Sequence, residues 1–166
     1  HKVETLGLVG ESCCGKSTLV RTILKLIPMT SGQVIYNGED IAAYDKKQMW
    51  EMRKRMQIIF QDPYSSLNPV KKVGWILEEP LRLNTELNKQ QRREKVLEML
   101  KKVGLDEKQA DRYPRQLSGG QRQRVCIAES LMLSPRLLIA DEPVSALDVT
   151  IQAQVISLLR SIQNEM

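Results

Sequence analysis

The spacing of apolar residues predicts strands and helices that alternate along the chain. Thr5–Val9, Met56–Phe60 and Leu137–Ala140 are short apolar runs of strand length, which predicts three buried strands. The first run leads through a segment with glycine at both ends, residues 10–15, into a helical pattern over Lys16–Leu26. A strand, a glycine loop and a helix in this order are typical of the opening βα unit of a parallel sheet.

Further patterns predict the remaining elements. Gln33–Tyr36 predicts a strand that ends in an Asn37-Gly38 turn, and Asp45–Arg55 predicts a helix. Another helix is expected over Gln121–Met132. The buried face of the first helix is expected at Leu19, Ile23, Leu26 and Ile27, and that of a last helix at Ile151, Val155, Leu158, Leu159 and Ile162.

The middle of the chain differs from both ends. Gln61–Pro69 contains two prolines, two serines and an asparagine, which predicts a loop. Val70–Arg115 is charged and helical in pattern, without β-branched apolar runs, and one apolar stripe joins Val96, Leu97, Leu100 and Val103. We therefore expect a helical insertion within an α/β domain with a mostly parallel sheet.

Composition narrows the class of protein only slightly. The 166 residues carry a formal net charge of +5, which suits a nucleotide, an RNA or an anionic membrane surface equally well. No apolar run approaches the roughly 20 residues that a membrane-spanning helix needs. The three cysteines have neither CxxC spacing nor a histidine cluster beside them, so free thiols in a reducing compartment are expected rather than a zinc site.

One motif predicts phosphate binding. The pattern GxxxxGK[ST] is matched by Gly10, Glu11, Ser12, Cys13, Cys14, Gly15, Lys16 and Ser17. Its flanks are a predicted strand and a predicted helix, as the motif requires. Backbone N–H groups of such a loop converge on a polyphosphate, the Lys16 ammonium is expected at the β- and γ-phosphates, and the Ser17 hydroxyl at Mg²⁺.

Two carboxylates follow the predicted strand Leu137–Ala140. Ligands of parallel sheets bind outside the carboxyl ends of the strands, where Asp141 and Glu142 are expected to lie. Asp141 suits Mg²⁺, and Glu142 suits the orientation and deprotonation of a water molecule. By themselves these residues are better explained as solvated turn residues before Pro143, and the GxxxxGK[ST] motif in the same chain favours the site instead.

A second helix start has the character of an anion site. Ser118, Gly119 and Gly120 precede the predicted helix that begins at Gln121. A serine cap followed by two glycines leaves backbone N–H groups free to face an anion. Two such helix starts in one chain suggest a nucleotide held between two chains.

Together these motifs resemble the ATP-binding subunits of ABC transporters over essentially the whole chain. The correspondences are the Walker A loop at Gly10–Thr18, the Q-loop at Gln61, the signature at Leu117–Gln121, the Walker B strand at Leu137–Asp141, the catalytic glutamate at Glu142 and the D-loop at Ser145, Ala146, Leu147 and Asp148. The resemblance implies a P-loop NTPase fold: a RecA-like core over 1–69 and 116–166, and an ABC-type helical subdomain over 70–115 whose signature helix continues to about 133.

The resemblance also assigns roles to residues, with ATP and Mg²⁺ as the implied ligands. Catalysis is expected from Glu142, Gln61 and Lys16, and metal binding from Ser17, Gln61 and Asp141. The nucleotide is expected to contact Gly10–Thr18 of one chain and, in trans, residues of a head-to-tail partner: Ser118, Gly119, Gly120, Gln121 and Asp148.

The amino-acid sequences of residues 60–69 and 144–154 resemble those of the oligopeptide and dipeptide importer subgroup, which includes relatives that move nickel and glutathione. This implies an ATPase that energises import from the cytoplasmic face of the membrane. Its partners would be a second ATPase subunit, identical or paralogous, transmembrane permease subunits and, indirectly, a solute-binding protein. Nucleic acid is not expected as a partner.

Three departures from the family pattern bear on activity. Cys13 stands where glycine is usual, and a Cβ at a position that favours positive φ would strain the loop and weaken ATP binding. A switch histidine after the Walker B strand and an aromatic residue that stacks on adenine are both missing from this sequence. We therefore expect a fragment, cut at both ends, that binds nucleotide with little turnover.

Two alternatives remain at this stage. A soluble ABC-type ATPase of DNA repair or translation would share the motifs, although long coiled coils or zinc modules usually accompany them there. A nucleotide-binding piece without hydrolysis is the other, and Glu142 argues for a hydrolytic ancestor instead.

Overall fold

The computed structural model describes residues 4–11, 14–145 and 147–165. The helices are α1 (Lys16–Ile23), α2 (Lys46–Arg55), α3 (Pro63–Ser66), α4 (Val73–Asn84), α5 (Lys89–Lys102), α6 (Gly119–Leu131) and α7 (Val149–Glu165). The strands are β1 (Ile35–Tyr36), β2 (Glu39–Asp40), β3 (Met56–Ile59) and β4 (Leu137–Ala140). Short 3₁₀ helices cover Ile41–Ala43, Glu107–Asp111 and Pro114–Gln116.

Strands β3 and β4 form a parallel pair, as their apolar patterns predict. The register places Met56 opposite Leu137 and Ile59 opposite Ala140. The Asp141 N–H extends the ladder by donating to the Ile59 carbonyl at 3.0 Å. The two strands therefore end at one edge, and the residues that follow them become neighbours.

The prediction of a buried strand over Thr5–Val9 is wrong. These residues form no strand, and Leu6 and Val9 are more than nine-tenths exposed. Within the described part of the chain, the only parallel pair is β3 with β4, and no strand lies beside Thr5–Val9. An apolar run becomes a buried strand only where a neighbouring strand accepts its backbone hydrogen bonds and a second layer covers its side chains.

The face and the end of α1 also differ from the prediction. The helix stops at Ile23, and Lys25 adopts a left-handed φ of 54°, so Leu26 lies beyond the helix. The side chains that are buried are Val20 and Leu24, whereas Leu19 is 48% exposed. The helix turns its Val20 face toward a small core that includes Met52 and Met56, and this packing outweighs the apolar spacing.

The short hairpin β1–β2 has the predicted turn. Asn37 and Gly38 both have positive φ, 51° and 85°, as a type I′ turn requires. The strand is shorter than expected, with two residues in place of the four over Gln33–Tyr36. The predicted helix over Asp45–Arg55 is present as α2, and Asp45 caps it through a capping box with Gln48.

The helical region after residue 70 has the predicted character. α4 and α5 pack together, and the expected stripe on α5 is buried at Val96, Leu100 and Val103. The core around them continues into Ile59 of β3 and Val155 of α7. The division into 1–69 with 116–166 and 70–115 remains a prediction, because this one core includes side chains from both parts.

Two further boundaries are corrected. The segment predicted as a loop, Gln61–Pro69, contains the one-turn helix α3, because the Asp62 carboxylate accepts from the Tyr64 N–H at 2.8 Å and Pro63 occupies the first helical position. Helix α6 begins at Gly119 rather than Gln121, since Ser118 is its N-cap. No helix among the described residues is long and apolar enough to cross a membrane.

Candidate nucleotide-binding site

The glycine loop over residues 10–15, which we call the phosphate loop after its expected ligand, leads directly into α1 at Gly15. Gly15 adopts φ 96°, a conformation that favours glycine, and its carbonyl accepts the first helical hydrogen bond from the Leu19 N–H at 2.9 Å. In the described part of the chain no side chain caps this helix start, and the N–H groups of a first helical turn favour an anion. Ser12 and Cys13 lie outside the described residues, and their expected roles remain predictions.

The Lys16 side chain folds back over the loop. Its Nζ donates to the carbonyl oxygens of Gly10 at 2.9 Å and Glu11 at 2.7 Å, and lies 3.9 Å from the Cys14 Sγ. A Cβ at Gly10 would lie 2.6 Å from the Cys14 Sγ, so a larger residue there would require the Cys14 side chain to move. The ammonium group is thus held at the centre of the loop by partners of the kind that phosphate oxygens would replace.

The Ser17 and Asp141 side chains meet although 124 residues separate them. The Ser17 Oγ donates to the Asp141 Oδ1 at 2.9 Å. Asp141 is only 7% exposed, and it follows β4 directly. The hydroxyl from the start of α1 and the carboxylate from the end of β4 therefore form one oxygen-rich pair, as the motifs predict.

Gln61 and Glu142 form a second pair at the same edge. The Gln61 Nε2 donates to the Glu142 Oε2 at 2.9 Å and to the Ser145 Oγ at 3.3 Å. Glu142 has a left-handed φ of 49°, and its carboxylate contacts Gln61, the second residue after β3. Among the described residues, no hydrogen bond joins Gln61 to Ser17 or Asp141, so Gln61 contacts the expected base, Glu142, and not the Ser17–Asp141 pair.

Sequence reasoning named Ser145 without giving it a role. Its hydroxyl donates to the Glu142 carbonyl at 3.1 Å and accepts from the Gln61 amide. A serine three residues after a glutamate is a common turn pattern, and nothing in that spacing indicates the contact with Gln61. The signal that could have identified it is therefore weak.

The start of α6 is a capping box, in which Ser118 and Gln121 hydrogen-bond to each other. The Ser118 Oγ accepts from the Gln121 N–H at 3.3 Å, and the Gln121 Oε1 accepts from the Ser118 N–H at 3.0 Å. Gly120 is packed so tightly that a Cβ would lie 2.8 Å from the Ile151 Cγ2, whereas a Cβ at Gly119 would make ordinary contacts. Among the described residues, no hydrogen bond joins this motif to the phosphate loop of the same chain.

Asp148 caps the last helix. Its Oδ1 accepts from the Ile151 N–H at 3.0 Å, and its carbonyl accepts from the Gln152 N–H at 2.9 Å. The Gln152 amide ties the same turn to the carbonyls of Val144 and Leu147. The turn between Glu142 and α7 is therefore braced from both ends.

The oxygen donors of this edge suit a hard cation. Mg²⁺ is usually held by one or two carboxylates together with substrate phosphates and water, which matches the Ser17 hydroxyl beside the Asp141 carboxylate. The described residues hold no cluster of three or more His, Cys, Asp or Glu side chains of the kind that binds a metal without a substrate. The donor set fits a cation that arrives with a phosphate ligand.

Known proteins that resemble this chain belong to the family that its motifs indicate. The family profile described as "ABC transporter" matches residues 1–145. The dipeptide transport ATP-binding protein DppF of Escherichia coli (strain K12) is 55% identical over 163 residues, which are 98% of this chain and 49% of that protein. The oligopeptide transport ATP-binding protein AppF of Bacillus subtilis (strain 168) is 51% identical over 165 residues, 99% of this chain and 50% of that protein. The chain spans about half the length of the curated relatives it matches.

Solved structures give the same result for the fold. The dimeric, post-hydrolysis structure of the ATP-binding cassette MJ0796 bound to ADP and Pi superposes with a TM-score of 0.79 at 32% identity, over 91% of this chain and 66% of that one. The structure of cbiO1 from Clostridium perfringens gives a TM-score of 0.82 at 31% identity, over 95% and 61%. The predicted P-loop NTPase fold and the predicted family are confirmed. The chain therefore belongs to the ABC transporter family.

Proposed function

We propose that this chain is the nucleotide-binding part of an ATP-hydrolysing subunit that energises an ABC transporter, with oligopeptides or dipeptides as the transported solute. The proposal rests mainly on one observation: five side chains lie together at the edge where β3 and β4 end. They are those of Lys16, Ser17, Gln61, Asp141 and Glu142. The names of the peptide-transport relatives support the choice of solute.

Binding of ATP begins with the phosphate loop. The Lys16 ammonium would exchange the carbonyls of Gly10 and Glu11 for β- and γ-phosphate oxygens, which carry more negative charge. The free N–H groups at the start of α1 would face the same phosphates. Gly10–Thr18 would thus bind the triphosphate through backbone and ammonium donors.

Metal binding and hydrolysis would use the two side-chain pairs of the sheet edge. Ser17 and Asp141 would hold Mg²⁺, which neutralises charge on the phosphates when bound. The Glu142 carboxylate would accept a proton from the attacking water, and Gln61 would hold this carboxylate in place. For Gln61 to contribute an oxygen to the metal, its amide would have to leave Glu142 and Ser145.

A second ATPase subunit would complete the site. Among the described residues, the helix start at Ser118 makes no hydrogen bond to the phosphate loop of its own chain, which supports a head-to-tail arrangement. Ser118, Gly119, Gly120, Gln121 and Asp148 would then contact nucleotide on the partner. A dimeric structure is among the solved relatives.

The remaining proposals rest on the family. Transmembrane permease subunits would be the direct partners of the helical region over 70–115, a solute-binding protein would act through them, and the chain would lie on the cytoplasmic face of the membrane. A soluble ATPase of DNA repair or translation is not favoured, because the relatives reported above are named as peptide-transport proteins.

A titration with a fluorescent ATP analogue and Mg²⁺ tests the proposal. The purified chain is expected to bind, and Lys16→Ala to lower the affinity about tenfold to a hundredfold through loss of the charged hydrogen-bond donor. Lys89→Ala, which removes an exposed lysine at the start of α5, is the matched control and is expected to bind like the parent. Equal affinity of the Lys16→Ala and Lys89→Ala variants would contradict the proposal.

A further inference from the structure

Helix α3 begins two residues after Gln61 and is hydrogen-bonded to Asp62, the residue between them. The Asp62 carboxylate accepts from the Tyr64 N–H at 2.8 Å, and the Ser66 hydroxyl donates to the Asp62 carbonyl at 2.6 Å. The hydrogen bond from the Tyr64 N–H, followed by that from Ser65, holds the pKa of Asp62 below its usual range, so the cap keeps its charge. Tyr64 is therefore tied by a hydrogen bond to the residue that follows Gln61.

Tyr64 reaches the start of α6. The guanidinium carbon of Arg122 lies 4.0 Å from the centroid of the Tyr64 ring, a close cation–π contact. A Cβ at Gly119 would lie only 3.7 Å from the Tyr64 hydroxyl oxygen. Helix α3 thus lies against the first turn of α6, and the tyrosine ring is the group that touches it.

Arg122 is held on the other side by backbone. Its side-chain Nε donates to the Pro114 carbonyl at 2.7 Å, and its backbone N–H donates to the Ser118 carbonyl at 2.9 Å. The guanidinium is therefore fixed between the aromatic ring and the 3₁₀ helix that precedes Ser118. Of its polar groups, the Nε is already used within the chain, which disfavours a primary role as a ligand for phosphate.

The geometry points to Tyr64 and Arg122 as positioning residues of the nucleotide site. Their stacked pair fixes the first turn of α6 relative to the segment that carries Gln61. This first turn is the part of α6 that would present Ser118 and Gly119 to the ATP bound by the partner. The inference rests on the proposed function, and it adds a physical connection between the segment of Gln61 and the start of α6, the two parts of the proposed nucleotide site. A positional error of about 1 Å at such a site lowers activity strongly, so a rigid contact here has a clear use.

Four variants separate this role from simple surface packing. Tyr64→Phe keeps the ring, Tyr64→Leu removes it, and Arg122→Lys keeps the charge without the planar group. Trp75→Leu is the matched control, because Trp75 also stacks against cations, Lys71 at 4.6 Å and Arg82 at 4.8 Å, but lies on α4.

The first measurement is amide hydrogen exchange of the nucleotide-free chain. Tyr64→Leu and Arg122→Lys are each expected to raise exchange at the Gln121 and Arg122 amides by about threefold, the effect of one exposed cation–π contact. Tyr64→Phe and Trp75→Leu are expected to leave these amides unchanged, and the double variant Tyr64→Leu with Arg122→Lys to add nothing to either single change. Unchanged exchange in Tyr64→Leu, or additive effects in the double variant, would overturn the inference.

The second measurement is MgATP-driven self-association, followed by sedimentation, beside binding of a fluorescent ATP analogue. Tyr64→Leu is expected to weaken association about threefold and leave binding to the single chain unchanged, and Tyr64→Phe to restore association. An equal loss of both would overturn the inference, because the effect would then be general unfolding. Absence of ATP binding in the parent chain would contradict the proposed function instead, and the exchange result would still decide whether the pair fixes α6.

Discussion

The two halves of the proposed site are built in opposite ways. The edge of the sheet is held by side-chain contacts over long sequence distances, such as Ser17 with Asp141 and Gln61 with Glu142. The start of α6 is held by a hydrogen-bonded box between Ser118 and Gln121, three residues apart, above a tightly packed helix. This difference has a consequence for substitutions. Those at the sheet edge are expected to change the chemistry of the site without altering the fold, whereas those at the start of α6 are expected to change the packing of the helix.

The largest expected effect concerns the sheet edge. Glu142→Gln keeps the shape of the side chain but removes the proton acceptor, so phosphate release is expected to fall by about 10²- to 10⁴-fold while ATP affinity stays within about twofold. Steady-state release of phosphate and nucleotide titration measure the two quantities. Glu51→Gln, on the exposed surface of α2, is the control, and equal effects of both changes would remove Glu142 from catalysis.

The two described cysteines sharpen the contrast. Cys14 is exposed within the phosphate loop, whereas Cys126 is buried in α6, where burial raises the pKa of its thiol to about 12. Alkylation at pH 8 is expected to be at least about a hundredfold faster at Cys14, since the thiolate is the reactive form. Peptide mass spectrometry resolves the sites.

ATP is expected to protect Cys14 and to leave Cys126 unaffected, because only Cys14 lies beside Lys16. Modification of Cys14 is expected to block nucleotide binding. If ATP failed to slow alkylation of Cys14, the loop would not be the place where the nucleotide binds.

A pH effect on stability is expected from α6. Burial, and then the nearby charge of Glu79, raises the pKa of Glu129 to about 7 from its usual value near 4.5. The folded chain therefore holds this proton more tightly than the unfolded chain does, so the free energy of unfolding should fall as pH rises from about 4.5 to 7. Glu129→Gln is expected to remove this decrease and to stabilise the fold at pH 8 by about 3 kcal/mol.

Urea unfolding at pH 5 and pH 8 measures this difference. Glu98→Gln, on the exposed side of α5, is the control and should keep the pH dependence of the parent. A parent chain whose stability does not change between these pH values would show that Glu129 is charged without cost.

The smallest expected effect distinguishes two adjacent glycines. Gly120→Ala would place a methyl group 2.8 Å from the Ile151 Cγ2, and is expected to destabilise the fold by about 1 to 2 kcal/mol. Gly119→Ala would meet only ordinary contacts, the nearest at 3.7 Å, and is expected to be neutral or slightly stabilising because alanine favours helix. Urea midpoints compare the two, and equal values would mean that α6 does not pack as described.

Much of this arrangement could be predicted from sequence, where the determinants are local. The ends of β3 and β4, the cap of α6 and the loop before α1 each follow from a short pattern. The strand over Thr5–Val9 could not be judged that way, because burial needs a neighbour that its own residues do not specify.

Side-chain contacts across the sheet edge were predictable only where a motif encodes them. Ser17 and Asp141 were expected to share one ligand, and they are in contact. The contact of Gln61 with Ser145 joins the segments that follow β3 and β4, and that of Tyr64 with Arg122 involves a one-turn helix inside a segment expected to be a loop. Both are set by tertiary geometry that no spacing of residue types reveals.

The most direct test of the account is a mixing experiment on MgATP-driven association. Lys16→Ala removes the phosphate-loop half of the site, and Ser118→Arg blocks the α6 half, so neither variant should associate alone. A head-to-tail mixture of the two contains one intact site, made of the loop of one chain and the helix start of the other. Sedimentation should therefore show association of the mixture with MgATP. If the mixture remained as dissociated as each variant alone, the two halves would not form one site between chains.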